Sequence, residues 1–120
     1  MKKNFLIMIW TCFFLFLFGC ETYDKITDEE ALSSIKNYCY ENFPNLKSME
    51  TSNEYTIYWQ IASSDEKEVV ILFRSYTGAI VRYYINKISG ETYTTEFMPS
   101  ISEHEERTDE VFNINDYMNN

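Results

Sequence analysis

The hydrophobic pattern of this chain changes period as it proceeds. From Phe5 to Phe18 the residues are apolar almost without interruption. After Cys20 the chain turns polar and acidic, and from Ile26 apolar residues return singly, at Leu32, Ile35, Cys39 and Phe43. Spacings of three and four place these on one stripe of an α-helix. From Glu54 the spacing falls to two. Tyr55, Ile57, Trp59 and Ile61 alternate with Glu54, Thr56, Tyr58 and Gln60, the mark of a half-buried strand. Trp59 lies on the apolar side of that alternation and is expected to be buried.

The helix carries its own start and stop signals. Thr27 can cap the first turn, and Glu30 three residues later completes a capping box. Asp28, Glu29 and Glu30 put negative charge where the helix dipole favours it. Pro44 ends the helix, because the residue before a proline avoids the α region. The predicted span is Asp28 to Asn42. Further on, "EVVILF" is apolar on both faces, as a central strand is. "SYTG" turns the chain, "AIVRYYI" returns, "NKISG" turns it again and "ETYTTEF" forms another strand. The pattern predicts an α+β fold: one N-terminal amphipathic helix packed on an antiparallel four-stranded meander sheet, with room for a fifth short strand near Leu46 to Glu50. Residues 26–98 form the domain. Residues 99–120 are acidic and lack a period, so they read as a partly disordered tail without which the domain stays folded.

The border at Cys20 changes the picture. Lys2 and Lys3 precede an apolar run of 14 residues, which is signal-peptide length; a membrane-spanning helix needs about 20. The run ends in Leu17-Phe18-Gly19-Cys20, which resembles the lipobox of bacterial lipoprotein precursors. The resemblance implies that residues 1–19 are a lipoprotein signal peptide, that Cys20 receives the lipid and becomes the new N-terminus, and that residues 20–25 are a tether. It also implies a fatty-acylated protein held at a bacterial cell membrane or outer membrane, facing outside the cytoplasm. Each buried methylene of such an anchor contributes about 0.8 kcal/mol.

Processing of this kind leaves 8 basic against 19 acidic residues, a net charge of −11. That charge repels nucleic acid and anionic headgroups. It also leaves Cys39 as a lone cysteine, with no disulfide partner and with the character of a small buried apolar side chain. His104 is the only histidine, and its neighbours Glu103, Glu105 and Glu106 are adjacent rather than spaced to converge on a metal. Gly78 and Gly90 both fall in turns, so no phosphate-binding loop exists. The expectation is a non-enzymatic chain with no cofactor, no metal and no nucleic-acid partner.

What remains is a surplus of apolar and tyrosine-bearing strand positions. With an even loop at the Arg74 to Ala79 hairpin, Val70 and Leu72 share a face with Val81, Tyr83 and Ile85, which the helix covers. The opposite face then shows Val69, Ile71, Phe73, Ile80, Arg82 and Tyr84, a candidate binding face. An odd loop swaps the assignments but not the surplus. One helix covers one face of a sheet. The other is left to the C-terminal segment, a partner or another copy.

A second resemblance covers residues 26–97. The helix opened by "TDEEA", the strand "EYTIYW" and the hairpin "YYINKISGETY" are similar to the small PepSY-type domains of bacterial envelope proteins. Their closing hairpin carries an aspartate and a threonine-glycine pair, slots that Asn86, Ser89 and Gly90 hold here. The resemblance implies a binding or protease-modulating role. The expected function is therefore that of an anchored envelope protein binding a protein or peptide partner. The alternative is an immunity or inhibitory lipoprotein that sequesters a cationic peptide or toxin.

Overall fold

The computed structural model describes residues 25–118, so the signal segment and Cys20 lie outside the described residues. The fold is α+β. In chain order it comprises α1 (Asp28–Asn42), α2 (Leu46–Thr51), β1 (Tyr58–Ser64), β2 (Glu68–Arg74), β3 (Ile80–Asn86), β4 (Glu91–Phe97), β5 (Glu106–Asn113) and a 3-10 turn, Ile114–Tyr117. The strands form one antiparallel meander in the order β1-β2-β3-β4-β5.

Helix α1 has the predicted bounds and the predicted cap. Thr27 Oγ1 accepts from the Glu30 N–H and Glu30 Oε1 accepts from the Thr27 N–H, both at 3.1 Å. At this end of the molecule the Ile26 N–H donates to the Lys87 carbonyl at 2.8 Å, and Lys87 pairs with Asp28 at 3.2 Å. The Ser64 hydroxyl donates to Asp28 at 2.7 Å. That bond, and Lys87 beside it, outweigh desolvation and hold the Asp28 carboxyl below the usual range.

The core lies between α1 and one face of the sheet. Ala31, Ile35 and Cys39 from the helix meet Val69, Ile71 and Phe73 from β2 and Tyr83 and Ile85 from β3. Each large side chain sealed in this way contributes about 1.5–3 kcal/mol. Trp59 packs at the margin of this cluster, stacked on Phe73 with ring centroids 4.3 Å apart.

Two sequence expectations are overturned. Residues 46–50 belong to helix α2, not to a short strand; Leu46 is buried in the core and the Met49 N–H closes a turn on the Asn45 carbonyl. The fifth strand comes instead from the acidic tail. Residues 106–113 pair along β4, whose exposed edge supplies the hydrogen-bonding partners that the tail's composition does not advertise. The tail also brings apolar anchors to the helix-covered side. Phe112 stacks on Tyr38 at 3.7 Å, Ile114 is fully buried, and Asn37 Nδ2 donates to the Tyr117 carbonyl at 2.8 Å. Of the tail, residues 98–105 form the connecting loop and residues 106–117 are regular elements.

Candidate functional site

The face of the sheet opposite α1 is set by a turn. The Gly78 N–H donates to the Ser75 carbonyl and Gly78 then takes φ 91°, after which the Ser75 N–H bonds the Ala79 carbonyl. This is a three-residue hairpin loop with glycine in the left-handed region, an odd loop. Arg74 consequently pairs with Ile80, Ile71 with Tyr83 and Val69 with Ile85. Three members of the expected binding face, Val69, Ile71 and Phe73, therefore lie in the core beneath α1. Ile80, Arg82 and Tyr84 share the opposite, open face with Val70 and Leu72. The odd loop exchanged the two sets of β2 residues and left those of β3 in place.

The register carries the open face onward. Arg82 stands opposite Thr95, Tyr84 opposite Tyr93, Tyr93 opposite Val111 and Thr95 opposite Arg107. The rings of Tyr84 and Tyr93 stack at 4.7 Å and 4° apart in plane, and the Arg107 guanidinium lies 4.2 Å over Tyr93. Arg82 lies 5.3 Å over Phe97. Glu105, at the end of the β4–β5 loop, ties this surface together. Its Oε1 accepts from the Tyr84 hydroxyl at 2.8 Å and from the Thr95 hydroxyl, and lies 3.4 Å from Arg82 Nη1. Desolvation raises the Glu105 carboxyl, but these donors and the arginine charge outweigh it and leave it below the usual range. Burial, reinforced by Glu105, pushes the Tyr84 hydroxyl up.

The result is a polar and aromatic surface. Val70 and Ile80 are buried among its taller neighbours, so of the face expected from the pattern Arg82 and Tyr84 are the members that reach the surface. Beside the tyrosine stack is an open cleft of about 560 Å³, lined by Tyr84, Tyr93, Val111 and Arg107 with Glu68 and Glu91 among its walls. Stacked tyrosines and a guanidinium held by a ring offer flat contact area and hydrogen-bond donors at small entropic cost. Such a surface can grip a peptide or a protein loop.

The groups considered for chemistry lie elsewhere. Cys39 is buried on the covered side with its Sγ 3.3 Å from the Tyr83 hydroxyl. Burial pushes its thiol up to about 12 against the pull of that hydrogen bond, which is the reverse of an activated nucleophile. His104 is exposed in the β4–β5 loop, and its N–H donates to Ser102 Oγ at 3.0 Å. Among the described residues no three His, Cys, Asp or Glu side chains gather to hold a metal ion, and no helix is long and apolar enough to cross a membrane.

Tyr93, Thr95, Glu105 and Arg107 did not emerge from the sequence pattern. Tyr93 and Thr95 were detectable as alternate positions of "ETYTTEF". Glu105 and Arg107 were not, because the segment holding them has no period. Comparison of the chain with protein-family models, with curated proteins and with solved structures finds no match.

Proposed function

We propose that this chain is a lipid-anchored, non-enzymatic envelope protein that binds a protein or peptide partner through the open face of its sheet. The observation that carries the reading is the ordered surface of Arg107, Tyr93, Tyr84, Glu105 and Arg82, aromatic rings and charges locked together on the side that α1 leaves uncovered. A face serving only solubility needs no such locking. Cys20 carries the lipid in this proposal, and the acidic domain stands outside the cytoplasm, at a bacterial cell or outer membrane. The resemblance of residues 26–97 to PepSY-type domains belongs to the same reading. It points to modulation of a partner rather than to catalysis.

The net charge of −11 after processing supports a second reading, an immunity or inhibitory lipoprotein that sequesters a cationic peptide or toxin. Salt separates the two readings, since attraction by net charge fades as ionic strength rises.

Two experiments test the proposal. Cys20→Ser should abolish fatty-acid labelling and membrane retention; labelling equal to the parent's contradicts the anchor. Capture from envelope extracts by the parent chain, compared with a Tyr84→Ser, Tyr93→Ser, Arg107→Ser variant of parental circular dichroism, tests the face. Loss of the captured partner in the variant is expected, and unchanged capture sinks the assignment of binding to the open face.

A further inference from the structure

The two edges of the sheet are guarded unequally. Strands β1 and β5 stand at its ends. Strand β5 carries Glu106, Arg107, Asp109 and Glu110, and charge of this kind keeps an edge from pairing with another chain. Strand β1 carries no charge and no proline. The uncharged run is longer than the strand, since every residue between Glu54 and Asp65 is neutral. Its one guard is a bulge at Ala62, which has no partner in β2. Among the described residues, no turn, loop or side chain bonds the backbone of Tyr58 to Ala62 from the outer side. Alternate residues there direct N–H and C=O groups outward, and another extended backbone is what matches such a row.

The side chains indicate which backbone. A two-fold axis normal to the sheet runs the strand against its own copy and keeps both copies of α1 on one side. Centred on Gln60, that pairing sets Trp59 opposite Ile61 of the second copy and Gln60 opposite its own counterpart. Trp59 and Ile61 stand beside Phe73 and Ile71 of β2, so both lie on the α1 side. Ile61 is 39% exposed in the single chain, and the indole of the second copy would cover it. Aromatic and β-branched residues are favoured cross-strand pairs. Gln60 is exposed on the open side and offers its copy an amide that both donates and accepts. From Tyr58 to Ala62 no charge meets its like across the seam. The acidic balance of the two copies opposes association, but at physiological salt it is screened beyond about 8 Å.

We propose that β1 pairs antiparallel with β1 of a second copy of this chain, centred on Gln60, joining two five-stranded sheets into one. The seam is smaller than the ~1,200–2,000 Å² of stable interfaces, so the dimer is a reversible one. No β1 residue lines the cleft beside Tyr84 and Tyr93. Pairing therefore leaves that face free, and sets two copies of it on one side of the assembly.

The test is made in cells producing the full chain. Gln60→Cys places two thiols face to face across the axis, within the Cα separation of about 4.4–6.8 Å that a disulfide spans. Mild oxidation with copper phenanthroline should give a band of twice the chain's mass from Gln60→Cys. The parent and Asp109→Cys, exposed on the β5 edge, should give none. Cys39 does not compete, because it is buried. Two copies with different tags should also co-purify. Gln60→Glu in both, or Gln60→Lys in both, sets like charges opposite each other and should cut recovery about fivefold. One Gln60→Glu copy with one Gln60→Lys copy should restore it, with circular dichroism unchanged throughout. No band from Gln60→Cys, or an equal band from Asp109→Cys, overturns the proposal. An adduct of another mass would give the edge to a different protein's strand and overturn it too. Loss with each single charge and no recovery in the mixed pair would contradict self-pairing at Gln60.

Discussion

The two faces of the sheet use the same strands and solve different problems. On the covered face, Val69, Ile71, Tyr83 and Ile85 meet Ile35 and Cys39, and the hydroxyl and thiol buried there pair with each other. On the open face, one residue along each strand, side chains are tied by a carboxylate, stacked rings and guanidinium groups. The covered face holds the fold by excluding water; the open face is ordered while remaining wet. Side chains already tied to one another lose less entropy on binding, which is what the proposed recognition surface needs.

The largest test of this contrast is removal of residues 106–120. It deletes β5 together with Phe112 and Ile114, which complete the covered face beside Tyr38. The truncated chain should lose its cooperative melt in circular dichroism. A melt within a few degrees of the parent would restore the expectation of a dispensable tail. Next comes a pair of neighbours that point to opposite faces. Ile71→Ala should cost about 2–5 kcal/mol, and Leu72→Ala about 1 kcal/mol, both measured by urea unfolding. Equal costs would erase the distinction between the faces.

The smallest effect concerns pH. The Glu105 carboxyl is held below its ordinary value of 4.5 in the folded chain. Its contacts therefore stabilise above that pH and are lost as pH falls through the lower folded value. The stability gap between the parent and Glu105→Gln should be widest near neutrality and close in acid. A gap independent of pH would mean that the Glu105 charge does not tie the open face together.

Much of the covered face was legible in the sequence because local signals agreed. Thr27, Glu30 and Pro44 fixed the span of α1, and the stripe through Ile35 and Cys39 named its buried side. The faces of β2 were not fixed by pattern, since "EVVILF" is apolar at every position but one and either parity satisfies it. A single glycine decided the matter: Gly78 at positive φ makes the hairpin loop odd. Helix α2 is only 6 residues long, too short to establish a period, and is held by the burial of Leu46. Strand β5 was hidden for a different reason. Half of its 8 residues are charged, and it exists because β4 offers an edge and Tyr38 offers a ring for Phe112. Glu105 and Arg107, two members of the candidate site, come from that strand and the loop before it, and became visible only with the fold.

The central claim is that the open face, and not the helix side, meets the partner. The most direct measurement is photo-crosslinking in cells producing the full chain, with benzoylphenylalanine placed at Val111 on the open face or at Glu29 on the exposed side of α1. The account predicts a discrete, light-dependent adduct from position 111 and none from position 29. Adducts of equal yield from both positions, or from position 29 alone, would contradict it.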